Sequence, residues 1–235
     1  MREAMTKAFS FTYSKLKNYE KCPLQHKAVD IDKLYGTDIS DALDFGQRVH
    51  DALHKTFKFG QELPIPMRHL QYWVDWVGRL PGTKHIEQSW GMDRHYQPAE
   101  YFSGFAWMRF KADVAVTHGP VGWLIDWKTG KRSEEPLQLW LGAIMMFSQF
   151  PELEKIDSMF VWLKEDDGKN SHECISAETV ERSDTNEIWK QILPRVQAYE
   201  KSIIDNVFPA RPGRYCQYCR VQSCDFYRVQ SCDFF

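Results

Sequence analysis

From Ser40 to Phe59 the apolar residues Ala42, Leu43, Phe45, Val49, Ala52, Leu53 and Phe57 recur at steps of three and four, which predicts an amphipathic helix. Before it, Ser14 to Glu20 has helix-forming composition, with Leu16 and Tyr19 three apart and Ser14 placed to cap the start. Pro23, just after Cys22, interrupts or bends that element. Met67 to Leu80 predicts a further helix, ended by the Pro81-Gly82 turn. The period then changes. Lys84 to Met92, Phe105 to Val116 and Trp123 to Trp127 read as strands, with Gly119-Pro120 as the turn between the last two. Pro136 to Phe150 returns to helix and is closed by Pro151. Ser158 to Leu163 and His172 to Ile175 read as strands around the polar loop Glu165 to Asn170, and a long helix follows from Asp184 to Asn206, with Pro194 as a possible kink.

That order predicts an α/β fold, a small mixed central sheet flanked by helices. We read one domain over residues 1–235. Its parts are N-terminal helices over 10–60, a sheet core over 84–176, a C-terminal helix with a cysteine-rich end over 184–224, and a tail over 225–235. In the tail, Arg220 to Phe226 recurs as Arg228 to Phe234. Eight residues is too short a period for a repeat architecture, so a terminal duplication is the plainer reading.

Composition changes this picture little. The net charge of -2, from 30 Lys+Arg against 32 Asp+Glu, lacks the basic excess of many nucleic-acid binders, but a local basic groove can sit inside a neutral whole. No apolar run reaches the roughly 18–20 residues of a membrane span, and the first residues lack the apolar stretch of a secretory signal. Both point to a cytoplasmic protein. In that reducing compartment the six cysteines do not suggest disulfides. Cys216-x2-Cys219-x4-Cys224 has metal-ligand spacing and brings three thiolates near one point, for zinc or an iron-sulfur cluster. Cys174, in a predicted strand, reads as core, and Cys232 is a duplicate of Cys224.

The candidate chemistry lies on the middle strands. Asp113 and Asp126 fall on strands joined by a tight turn, so they can sit side by side at one end of the sheet. Two carboxylates there repel each other unless a cation lies between them, and oxygen ligands suit Mg²⁺ or Mn²⁺. Lys128, two residues after Asp126, faces the same side of a strand. There it can orient a water or neutralise charge developing on a phosphate. The competing reading is a solvent-facing ion pair. Against it, Asp126 ends the apolar run Trp123-Leu124-Ile125, an odd place for an idle charge.

Ile125-Asp126-Trp127-Lys128-Thr129-Gly130 resembles the "(I)D(Y/W)KTG" signature of RecB-family nucleases in the PD-(D/E)xK superfamily. Phe11-Thr12-Tyr13-Ser14-Lys15-Leu16 through Cys22-Pro23 is similar to that family's opening helix. Gly46-Gln47-Arg48-Val49-His50 matches its G-x-x-x-H motif, Lys111-Ala112-Asp113 its second acidic strand, and Gln138 the start of Q-x-x-x-Y. The C-terminal cysteines resemble the cap of Cas4-like, AddB-like and many phage exonucleases.

The resemblance implies a restriction-endonuclease-like fold and metal-dependent DNA hydrolysis, closest to compact phage-type exonucleases used in recombination, replication or DNA breakdown. It assigns His50, Asp113, Asp126, Lys128 and Gln138 to catalysis. His50, Asp113, Asp126 and the backbone carbonyl of Trp127 become ligands of one or two Mg²⁺ or Mn²⁺ ions, with Glu87 a second-shell acid and Glu100 a weaker candidate. It adds Cys22 to Cys216, Cys219 and Cys224 as the fourth ligand of a [4Fe-4S] cluster, with zinc as the alternative. In this sequence the tyrosine of Q-x-x-x-Y is replaced by Gly142.

Candidate DNA contacts are Tyr13, Lys15, Arg48, Lys131 and Arg132, with Lys17, Tyr19, Trp140, Arg211 and Arg214 as weaker ones. The partner is DNA, as single- or double-stranded ends, and a homo-oligomer or a recombination partner protein is compatible with the motifs. Two other readings use the same residues: a non-catalytic zinc-containing nucleic-acid-binding module, and a Cas4-like endonuclease acting within a complex.

Overall fold

In the computed structural model the described residues are 9–36, 41–133, 135–166 and 171–228. The repeated tail beyond Arg228, with Cys232, lies outside them, as do Ser40 and most of the Glu165–Asn170 loop. Among the described residues the elements run α1 (Tyr13–Lys21), α2 (Pro23–His26), α3 (Asp41–Phe59), α4 (Gln71–Arg79), β1 (Thr83–Met92), β2 (Pro98–Glu100), β3 (Met108–His118) and β4 (Val121–Lys128). Then come α5 (Leu137–Gln149), β5 (Lys155–Trp162), β6 (Ile175–Glu181) and α6 (Thr185–Asp205). They form two compact units, 41–188 and 9–36 with 189–228.

The larger unit is built on one six-stranded mixed sheet in the order β2-β1-β3-β4-β5-β6. Only β4 and β5 run parallel, with α5 in the crossover between them; the other neighbours are antiparallel. One face carries α3 and α4, whose Val49, Leu53, Trp73 and Val77 pack with Val114, Val116, Ile125, Trp127, Met159 and Val161. Cys174 is buried in the same core. The opposite face carries α5, buried along almost its whole length from Leu137 to Phe147, as expected of a helix that is apolar all round. Its Leu139 packs on Phe160 and Trp162. A Cβ at Gly142 would lie 2.2 Å from Leu124 and 2.7 Å from the Phe110 ring. Only glycine lets α5 approach the sheet this closely.

Several elements differ from the sequence expectations in instructive ways. Thr12, rather than Ser14, caps α1, its hydroxyl accepting from the Lys15 amide at 3.2 Å. Pro23 opens a new helix, where its missing N–H costs nothing. The predicted 67–80 helix is a 3₁₀ segment, Ile65–Leu70, followed by α4. β3 starts at Met108, not Phe105. Residues 101–107 form a turn because the Trp107 amide returns to the Met92 carbonyl at 2.9 Å and Arg109 holds the Ser103 carbonyl at 3.2 Å. β2 is too short to leave an alternating pattern. The last strand begins at Ile175, after a 3₁₀ turn at Ser171–Cys174.

In the smaller unit, α1, α2 and the C-terminal part of α6 share a polar core. His26 is held between Asp30 (Nδ1 to Oδ2, 2.7 Å) and the Tyr199 hydroxyl (Nε2, 2.8 Å). Tyr19 stacks on Tyr199 at 4.8 Å and donates its hydroxyl to the Ala198 carbonyl at 3.1 Å. Tyr19 is therefore core, not a base-stacking surface. Arg195 makes a two-pronged ion pair with Glu20 at 2.5 and 2.7 Å.

Candidate active site

The regular pairing of β1 and β3 is interrupted once, at Glu87 and Asp113: Ile86 pairs with Val114 and Gln88 with Ala112, while the residues between them do not pair. Glu87 has φ +49°, a conformation that non-glycine residues rarely adopt and that concentrates at functional sites. The break also shifts the side-chain alternation. On one side of it Val114 and Val116 point into the α3/α4 core; on the other, Phe110, of the same parity, points at α5. Asp113 sits on the step. Its Oδ2 accepts the Trp127 amide at 2.8 Å, and its Oδ1 lies 3.4 Å from His50 Nδ1.

His50 is delivered by α3, one turn beyond Gly46. A Cβ on Gly46 would lie 2.7 Å from Thr129 Oγ1, so the glycine seats this stretch of helix against the end of β4. Ligand atoms of His50, Glu87 and Asp113 all lie within 4.8 Å of one another, the one such group of three among the described residues. They open into a cavity of about 540 Å³, also lined by Gln47, Asp51, His54, Lys111 and Thr129.

Asp126 and Lys128 occupy the neighbouring position at the end of β4, turned toward α5. Asp126 is 7% exposed. Gln138, in the first turn of α5, donates to Asp126 Oδ1 at 2.6 Å and accepts from the Lys128 ammonium at 2.9 Å. Lys128 also approaches Asp126 Oδ2 at 2.6 Å. The approach is off the angle of a hydrogen bond, so this buried oxygen has a countercharge but no directed donor.

Burial pushes the Asp126 carboxyl up to about 6, against the Lys128 ammonium and with the help of Asp113. Glu87 rises to about 6 as well, from crowding by protein atoms and then the charge of Asp113, with His50 and Lys111 opposing. Burial resists charge on His50, but the hydrogen bond and charge of Asp113, reinforced by Asp126 and Glu87, raise its pKa overall. Three carboxylates and one imidazole thus compete for too few positive charges, the condition that a divalent cation relieves.

The sequence-derived residues are distributed as follows. His50 and Asp113 come together with Glu87, named in the sequence only as a peripheral acid; Asp126, Lys128 and Gln138 form a second group that meets the first at Asp113 and Trp127. Glu100, on the edge strand β2, is exposed. Arg132 spends its guanidinium on Ser176, the Glu173 and Ile175 carbonyls and Glu165. Arg48 is exposed and pairs with Asp44 at 3.1 Å. Lys131 is exposed; Trp140 is half-buried on α5; Tyr13, Lys15 and Lys17 lie on α1 in the smaller unit. Lys111 was not singled out from sequence, although its place two residues before Asp113 on a strand was the available signal.

In the smaller unit, Cys22, Cys216, Cys219 and Cys224 line one cavity of about 120 Å³. The Cys224 thiol is pushed up by burial and by Cys219, Cys22 and Cys216 around it, while a backbone hydrogen bond opposes this. No three of the four sulfurs come within 4.8 Å of one another. Arg211 lies over this cavity, its amide donating to Cys22 Sγ at 3.4 Å and its guanidinium to the Glu20 carbonyl. Arg214 leans on Tyr215.

No helix among the described residues is long and apolar enough to cross a membrane, and no curated protein sequence matches the chain. Among solved structures it is similar to a protein of Eubacterium rectale named "Putative exonuclease", at 12% identity and a TM-score of 0.51, over 90% of this chain and 86% of that one. It also aligns with SSO0001 at 12% identity, over 96% of this chain and 90% of that one, but with a TM-score of 0.40. The sequence profile of the PD-(D/E)XK nuclease superfamily matches residues 10–224. With a mixed sheet flanked by helices and paired acidic strands ending in Asp-x-Lys, the chain belongs to the PD-(D/E)XK nuclease superfamily.

Proposed function

We propose that this nuclease is a divalent-metal-dependent DNA exonuclease of the RecB-like branch, with His50, Glu87 and Asp113 holding the cation beside Asp126, Lys128 and Gln138. The observation that carries the reading is the convergence of three ligating side chains, from α3, β1 and β3, within 4.8 Å of one another in one open cleft. Mg²⁺ or Mn²⁺ suits this oxygen-rich set, with the Trp127 carbonyl as a further ligand. A bound ion supplies Lewis acidity at the phosphate and a water of lowered pKa.

The chain's own residues do the rest. Asp113, fixed by the Trp127 amide, sets the position of the His50 ring. Gln138 ties the Asp126 carboxylate to the Lys128 ammonium through its amide. Lys128 offers positive charge where the phosphate gains negative charge. Water gives up one proton to solvent as its oxygen bonds to phosphorus, the bond from phosphorus to the leaving oxygen breaks, and that oxygen takes up a proton from solvent, so the protons balance. The exonuclease assignment is supported by the motif order and by the name of the Eubacterium rectale protein. Residues 10–60, 84–176 and 184–224 act as one nuclease module in this reading.

The test is digestion of end-labelled linear single- and double-stranded DNA with Mg²⁺, Mn²⁺ or EDTA, beside an Asp113→Ala control. Metal-dependent loss from the ends, absent in the variant, is the expected result; intact DNA with folded, metal-supplied protein overturns it.

For the cysteines we propose a [4Fe-4S] cluster. It is supported by four thiols lining one cavity and by the Cys-x2-Cys-x4-Cys spacing at the C-terminal end. Anaerobically purified protein is then brown, with thiolate-to-iron absorbance near roughly 400 nm. A colourless protein with stoichiometric zinc replaces the cluster.

A further inference from the structure

β1 and β3 continue past the acidic cleft as an arm, joined along Trp90–Met92 by the short edge strand β2. Beyond Asp113 the pairing is regular again, Lys111 opposite Ser89 and Arg109 opposite Gly91. Alternation therefore places Arg109 on the same face as Lys111, which lines the cleft. The other face of the arm is buried through Met108, Phe110 and Ala112 and braced by α5, whose Gln149 donates to the Gly91 carbonyl at 2.9 Å and Ser148 to the Tyr96 carbonyl at 2.9 Å. On the turn from β2 to β3, which crosses over Gly91 (a Cβ there would meet that of Ala106 at 3.1 Å), Phe102 and Phe105 stand 88% and 81% exposed.

These rings are displayed by a fixed loop. Arg109 holds the Ser103 carbonyl and lies over the Tyr101 ring at 5.7 Å, and Tyr101 meets Phe102 edge-on at 4.9 Å. Backbone bonds from Ser103 to Glu100 and from Ala106 to Ser103 close the turn. Two phenyl groups kept in water on a hydrogen-bonded turn gain nothing inside the fold, which marks the turn as a contact surface.

We propose that this arm is a platform for an unpaired DNA strand, Lys111 meeting its phosphate beside the cleft and Phe102 and Phe105 stacking on bases at the β2–β3 turn. The inference rests on the nuclease reading of the cleft and adds the form of the substrate. Cations hold phosphates without reading sequence, and aromatic rings stack on any base whose face is open, as in a single strand. A duplex hides those base faces except at its ends.

The test compares wild type with a Phe102→Ala/Phe105→Ala double variant and with Lys111→Ala. Binding of a fluorescent oligothymidylate is measured by anisotropy in EDTA, and metal-dependent hydrolysis of thymidine 5′-p-nitrophenyl phosphate, too short to reach the arm, is followed separately. The double variant binds the oligonucleotide about tenfold or more weakly while cleaving the small diester at the wild-type rate. Lys111→Ala lowers the salt slope of binding by about one contact. Unchanged oligonucleotide affinity in the double variant overturns the platform, as does an equal loss of affinity for a blunt duplex. Failure of the wild type to cleave the small diester with any divalent metal counts against the nuclease reading instead, because the binding result is obtained without metal.

Discussion

Two histidines in this molecule face an aspartate, and the two pairs have opposite character. His26 is fully enclosed, with both ring nitrogens engaged at 2.7 and 2.8 Å by Asp30 and Tyr199. Burial lowers its pKa despite the hydrogen bond and charge of Asp30, and Lys15 and Lys33 assist. His50 meets Asp113 at a looser 3.4 Å, at the rim of a cavity. Its Nε2 has no hydrogen-bond partner among the described residues, and surrounding carboxylates raise its pKa. The first pair saturates its hydrogen bonds inside the fold. The second leaves a coordinating nitrogen and an excess of negative charge. What separates the structural histidine from the candidate ligand here is unspent bonding capacity, not the presence of an acidic neighbour.

That contrast can be tested from its strongest consequence downward. Asp113→Asn is expected to lower the metal-dependent cleavage rate by about 10³-fold, with a melting temperature close to wild type, as read from initial rates and thermal unfolding. Gln138→Ala removes only the tie between Asp126 and Lys128, and a loss of about 10–100-fold in rate is expected; a rate equal to wild type would separate that tie from catalysis. His26→Ala inverts the pattern. Denaturant unfolding shows a loss of about 2–3 kcal/mol, because Tyr199 and Asp30 lose a buried partner, while turnover per folded molecule is retained. If activity falls and stability does not, the comparison has been read backwards.

The smallest effect is in pH. A His26 pKa held below the ordinary value near 6.5 means that the folded state favours the neutral ring. Its contribution is full above that pH and is lost as pH falls toward the folded pKa. Melting temperature should decline on acidification below about 6.5, and less steeply in His26→Gln.

Asp126 and Lys128 were readable because the sequence itself is anomalous there: a charge ends an apolar run and a lysine follows at strand spacing. Gly46 and His50 were readable by motif, and the α3 amphipathic pattern carried them to the sheet. Glu87 was not promoted because His-Ile-Glu-Gln-Ser-Trp alternates like any half-buried strand, and the positive φ that turns its carboxylate toward His50 leaves no trace in residue type. The arm was hidden for a related reason. Phe105-Ala106-Trp107 looks like the start of a strand until Arg109, on β3 itself, is seen to hold the Ser103 carbonyl and keep the segment in a turn. Arg132 shows the opposite error: its charge suggested phosphate contact, while four protein groups already occupy it.

Gly142 lies one turn along α5 from Gln138, on the same side of the helix. Because the sheet touches the helix backbone there, this bare position works as a depth stop for the amide that spans Asp126 and Lys128. A methyl group at 142 would press on Leu124 and Phe110 and lift that end of α5. A displacement of about 1 Å at a catalytic group can cost some two orders of magnitude in rate. If Gln138 acts as proposed, the cleavage rate is therefore open to mechanical tuning from a residue that carries no charge.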